Sequence, residues 1–162
     1  MSIKFRELLE QSSNTNTTKT DNIELNESVV DSLQSIVNSL VDAANVAQVA
    51  HWNLRSKSFI SLHPWLGETY QTLNDMVDGV AEQIKISNIN LMVNVSPSTI
   101  VPFSNENILF EYLLSSIERV NNELDMAAND ISIPRPLQNL IDNWITTVSK
   151  IIWTIKASKQ ES

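Results

Sequence analysis

The sequence predicts an all-α fold, a four-helix bundle with one long crossover between the second and third helices. Three observations carry this. Four stretches repeat their apolar residues at three- and four-residue steps, the period of a helix with one buried face. Only a few residues separate the first stretch from the second and the third from the fourth, whereas a proline-containing segment separates the second from the third. Finally, 162 residues with 42% hydrophobic composition suffice for one domain with its own core.

Residues 1–24 begin with the short apolar run IKFRELLEQ and continue as a Ser/Thr/Asn tract with little to bury, which predicts a flexible polar tail. The bundle is expected over residues 25–160. Val29, Leu33, Ile36, Val37, Leu40, Val41, Ala44, Ala47 and His51 form the first stripe, to about Leu54, with Ser28 as its expected cap. The polar run Arg55–Ser58 ends it. The second stripe holds Leu62, Leu66, Tyr70, Leu73, Val77, Ala81 and Ile84, to about Ser87, and its Pro64 is expected in the first turn, where a missing N–H costs least. Residues 88–103 carry two prolines and no sustained period, so they form the crossing connection, with a short strand as an alternative within it. Ser104 opens the third stripe of Leu109, Leu113, Leu114, Ile117, Val120, Leu124 and Ala127. Pro134-Arg135-Pro136 introduces the fourth, of Leu137, Leu140, Ile141, Trp144, Val148, Ile151, Ile152 and Ile155.

Composition removes several function classes. With no cysteine, thiolate catalysis, zinc–thiolate clusters and iron–sulfur chemistry are excluded, and a metal would have to be held by His, Asp or Glu. No apolar run approaches the ~18 residues that span a bilayer, and the N-terminal residues lack the apolar stretch of a secretory signal. Together these predict a cytoplasmic protein without a membrane partner. The net charge of −8 fits a surface that attracts cations better than one that coats nucleic acid.

The two histidines, His51 and His63, flank one tight turn between helices, so the hairpin can bring both imidazoles to the same end of the bundle. Histidines near a turn are commonly surface or capping groups, so spacing alone is weak support for a metal. Asp78 and Glu82, four apart, project from one face of the second helix. The plain alternative for such a pair is a solvated face. His63 and Asp78 lie fifteen positions apart on one helix, roughly 22 Å at a rise of ~1.5 Å per residue, and cannot share an ion within one subunit. Two copies of this helix packed antiparallel about a two-fold axis near Tyr70 and Gln71 would set residue 63 of one opposite residue 78 of the other.

Residues 51–84, HWNLRSKSFISLHPWLGETYQTLNDMVDGVAEQI, resemble the signature of the Dps family, the DNA-binding proteins from starved cells or mini-ferritins. The family pattern is His-Trp-Asn, then Phe-x-x-Leu-His, a Tyr and Asp-x-x-Ala-Glu-Arg. It is matched by His51, Trp52, Asn53, Phe59, Leu62, His63, Tyr70, Asp78, Ala81 and Glu82, with Gln83 in place of the arginine. The resemblance implies a ferritin-like bundle and a hollow homo-oligomer of twelve subunits built from two-fold dimers. In such a shell Fe(II) is oxidised, usually by peroxide, and stored as ferric mineral, which protects against oxidative damage. It implies iron, with zinc as an alternative occupant, held by His51 and His63 of one subunit and Asp78 and Glu82 of its neighbour. Trp52 would stand beside the site as an electron donor; its alternative is a buried core indole.

The sequence departs from the family pattern in several places. Gly67 occupies the position of a ligating aspartate, and Glu68 is a substitute ligand only if the helix is distorted, since it points ~100° away. Pro64 disfavours helical geometry at His63 and so tends to displace it. Arg135 stands where family members place acids lining a pore through which iron enters, and the usual glycine-containing loop after the second helix is absent. These departures predict weaker metal binding or slower oxidation than the family standard. The family's other activity, DNA binding and with it association with the nucleoid, would rest on Lys4, Arg6 and Lys19, opposed by an acidic body. The alternative function is a shell of the same fold with weak or lost ferroxidase activity and a structural or DNA-protecting role; a monomeric or dimeric helical adaptor is a third.

Overall fold

A computed structural model of the chain describes residues 25–93 and 106–160. The expected tail over residues 1–24, with Lys4, Arg6 and Lys19, and the Ser104 start of the third helix lie outside these residues. So does most of the crossing connection.

Four helices are present: α1 (Glu27–Asn53), α2 (Phe59–Ile86), α3 (Glu106–Ala128) and α4 (Arg135–Gln160). α1 packs against α2 and α3, α3 against α4, and α2 touches α4 more lightly, which closes a four-helix bundle. The two hairpins are joined through residues 87–105, the single long crossover of a ferritin-like bundle. The core is aliphatic, with Leu33, Ile36 and Leu40 of α1, Leu66 and Leu73 of α2, Phe110, Leu113 and Ile117 of α3 and Ile141 of α4 all fully buried. Among the described residues no helix is long and apolar enough to cross a membrane.

Local chemistry sets the helix ends. The cap of α1 is Asn26 rather than Ser28: its extended backbone (φ −74°, ψ 162°) aims the side-chain oxygen at the Val29 N–H, 2.9 Å away. The helix has already begun at Ser28, where a hydroxyl can no longer reach the open N–H groups. α2 starts at Phe59, one turn before the expected apolar stripe, because the Ser58 carbonyl accepts from the Ser61 and Leu62 N–H groups at 3.1 and 2.9 Å. Pro64 therefore lies inside the helix, not in its first turn. It removes the donor to the Ile60 carbonyl, and Ile60 is 88% exposed, so solvent can serve that oxygen. After α2, Asn88 takes the left-handed conformation (φ 58°) and its N–H bonds to Lys85 O at 2.9 Å, performing the helix-ending role usual for glycine.

The buried stripe of α2 is rotated from the expected one. Thr69, Met76 and Val80 are buried, while Tyr70, Val77 and Ala81 are half-buried. A repeat of four drifts around a helix of 3.6 residues per turn, so a straight helix must alternate steps of three and four. Phe110, absent from the expected stripe, is fully buried on α3.

Candidate metal centre

The two histidines flank the turn between α1 and α2. His51 lies in the last turn of α1, and His63 in the second turn of α2. Both are half-buried, and their rings stack with centroids 3.9 Å apart and planes inclined by 19°. Each is tied to the other's backbone: His51 Nδ1–H donates to the His63 carbonyl at 2.8 Å, and His63 Nδ1–H donates to the His51 carbonyl at 3.1 Å. Because a carbonyl only accepts, each ring carries a hydrogen on Nδ1, and the neutral form of such a ring keeps its lone pair on Nε2. This is the arrangement that prepares imidazole for a metal, one nitrogen fixed by a carbonyl and the other open.

Helical geometry persists at His63 in spite of Pro64. The reciprocal bonds and the stack hold the ring. Phe59 stacks on the pair from the His63 side, with centroids 4.7 Å apart, and Tyr70 meets His51 edge-on at 5.6 Å. Two nearly parallel planes at this spacing share no point that lies ~2.0–2.1 Å from a nitrogen of each ring along its lone pair. As arranged, the histidines are two separate donors rather than a chelate.

Gly67 sits beneath His51. A Cβ built there would be 3.3 Å from His51 Cε1 and 3.5 Å from Nδ1. The sequence carried a sign of this contact, since a glycine in a helix interior is unfavourable unless packing requires it. Glu68, the next residue, is exposed. Asp78 and Glu82 are exposed on α2, toward its far end. Among the described residues no three His, Asp or Glu side chains of one chain converge where they could hold an ion. Trp52 is 65% exposed in the single chain, so the buried core indole is overturned. As the penultimate residue of α1 it points away from the bundle. Phe59 and Ile60, across the turn, are exposed as well.

Comparison with solved structures decides the fold class. A Dps protein from Vibrio cholerae O1, described as a member of a broad superfamily of ferritin-like diiron-carboxylate proteins, superposes with a TM-score of 0.72. The match covers 88% of this chain and 98% of that one at 18% identity. The chain has the fold of the Dps proteins. Dps from Mycobacterium smegmatis superposes with a TM-score of 0.67 over 81% of this chain and 86% of that one, at 19% identity. Dps from Listeria innocua, in crystals soaked with zinc, gives 0.65 over 82% and 96% at 18% identity. No family model matches the sequence. The resemblance to Dps drawn from residues 51–84 is thus matched by a shared fold over 88% of the chain.

Proposed function

We propose that this chain is a Dps-type mini-ferritin, which assembles into a hollow dodecamer and binds, oxidises and stores iron at sites shared between two subunits. The observation that carries the proposal is the locked histidine pair, with its two open Nε2 atoms, at one end of α2 and the exposed Asp78 and Glu82 toward the other end. The histidines are two separate nitrogen donors without a carboxylate beside them, Asp78 and Glu82 are carboxylates without a nitrogen donor, and a two-fold axis across α2 would bring the two sets together twice. The exposed Trp52, Phe59 and Ile60 beside the histidines support the same contact, because apolar side chains clustered at one turn favour burial against a partner.

In this reading two Fe(II) ions each yield one electron to a peroxide, which takes up two protons and leaves as two waters. The imidazoles and carboxylates hold the substrate ions, and the carboxylates offset their charge. Trp52 supplies an electron where one oxidising equivalent is in excess. Zinc competes for the same donors, and ferric product passes to the shell interior. A second reading, a shell of the same fold that protects DNA without oxidising iron, draws on Gly67, which brings no carboxylate. Lys4, Arg6 and Lys19 would then make the DNA contacts.

Co-assembly tests the shared site. His51→Ala/His63→Ala and Asp78→Asn/Glu82→Gln variants are each expected to lose peroxide-driven Fe(II) oxidation in stopped flow. Shells reassembled from equal amounts of both regain about one quarter of the sites, because each mixed dimer rebuilds one intact site and loses the other. Zero recovery in properly assembled mixed shells defeats the shared site, and a wild-type shell that does not accelerate oxidation favours the second reading.

A further inference from the structure

Gly67 occupies a position where the sequence suggests a lost ligand, yet its surroundings describe a fitted space. We propose that Gly67 is a positioning residue: the absent side chain is what allows His51 to lie flat on His63 with both Nδ1 atoms engaged. The inference rests on the reading of His51 and His63 as metal donors and assigns one more residue to that site.

Three restraints keep the His51 ring from retreating. It stacks on His63 with centroids 3.9 Å apart, its Nδ1–H is committed to the His63 carbonyl at 2.8 Å, and Tyr70 stands edge-on at 5.6 Å. Against a ring so held, a Cβ at position 67 would meet Cε1 at 3.3 Å, inside ordinary van der Waals distance, and Nδ1 at 3.5 Å. Relief comes most directly from the His51 ring, and any shift of that ring strains its bond to the His63 carbonyl and draws away the face on which the His63 ring stacks. A methyl group at position 67 therefore disturbs both donors. Gly67 exchanges an oxygen ligand for an aligned pair of nitrogen donors, a set suited to borderline divalent ions such as Fe(II), Co(II) and Zn(II) more than to Mg(II) or Ca(II).

Gly67→Ala separates the two accounts, since alanine adds the Cβ and no donor. Metal-free full-length wild type, G67A and G67D are titrated calorimetrically with Zn(II) and Co(II), their melting temperatures are measured, and metal-free crystals of each are compared. G67A is expected to bind both ions ~tenfold more weakly, as for loss of an outer-shell partner. Its fold remains intact and its His51–His63 centroid separation grows beyond 3.9 Å. G67D is expected to bind no more tightly than wild type, because the gained carboxylate comes with the same displacement. The proposal is overturned by a G67A protein that binds as wild type with the stack unchanged, or by a G67D protein that binds more tightly. If wild type binds neither ion, the donor reading fails. The crystals then still decide whether Gly67 places His51.

Discussion

Both glycines of this protein lie inside α2, and each lies against a ring. At Gly67 the ring is the half-buried His51 of α1. At Gly79 it is the buried Trp144 of α4, whose Cζ2 would stand 3.2 Å from a Cβ at that position. The same device serves two ends. Near the turn it makes room for a polar ring, and farther along α2 it lets the lightly packed α2 and α4 approach over an indole. A glycine costs a helix about 1 kcal/mol relative to alanine, so each contact must return more than that to be worth keeping.

The largest expected effect comes from removing the structural ring. Trp144→Ala should destabilise by about 3–5 kcal/mol in denaturant unfolding, through lost burial and the cavity left behind. Gly79→Ala should cost about 1–3 kcal/mol, since Trp144 is enclosed and overpacking forces it off its rotamer. Placed in the Trp144→Ala background, the same Gly79→Ala change should reverse sign and stabilise by about 1 kcal/mol, the plain helix-propensity gain. A Gly79→Ala effect that is identical in both backgrounds would show that the indole contact is irrelevant. At Gly67 the half-buried ring can move at less expense, so Gly67→Ala is expected to leave stability within ~1 kcal/mol of wild type while metal affinity falls. Equal stability losses at the two glycines would collapse the contrast between them.

The smallest effect lies in the link between α3 and α4, where Asp130 Oδ1 accepts from the Ser132 hydroxyl at 2.6 Å and the Ser132 N–H at 2.8 Å. The side-chain bond first, and the backbone bond second, hold the Asp130 carboxyl below its ordinary 3.8. With the folded value depressed, its stabilising contribution is present above the unfolded value and disappears as pH falls through the folded one. Asp130→Ala should therefore lower the melting temperature slightly at neutral pH, and the difference from wild type should shrink toward zero as the pH is taken well below 3.8. A difference that persists unchanged in acid would trace the effect to something other than this carboxylate.

Much of the architecture was legible because it is periodic. The stripes through Val29–Ala47, Leu109–Ala127 and Leu137–Ile155 mark helices that the structure contains, with buried residues at most of the expected positions. The spacing of His51 and His63 around one turn was likewise enough to bring them to one end of a hairpin. Less legible were the cap at Asn26, the start of α2 at Phe59 and the rotation of its stripe onto Thr69, Met76 and Val80. Each of these depends on which of several near-equivalent backbone groups is satisfied, or on accumulated helical phase, and neighbouring residues compete closely for both roles. Gly67 read in sequence as a missing carboxylate. Its contact with His51 needs the distance between two helices, which no spacing within one helix contains.

By itself, then, the sequence determined four amphipathic helices, their order with one crossover, and the residue types that a metal would need. Helical period and side-chain chemistry are local properties and are written residue by residue. Only the tertiary structure decided that the two imidazoles stack, that each Nδ1 is spent on the other's carbonyl, that Trp52 stands exposed, and that each glycine of α2 lies against a ring from another helix. Those outcomes are set by how closely helix axes approach and how far each helix is turned about its own axis. Both follow from the packing of all four helices together.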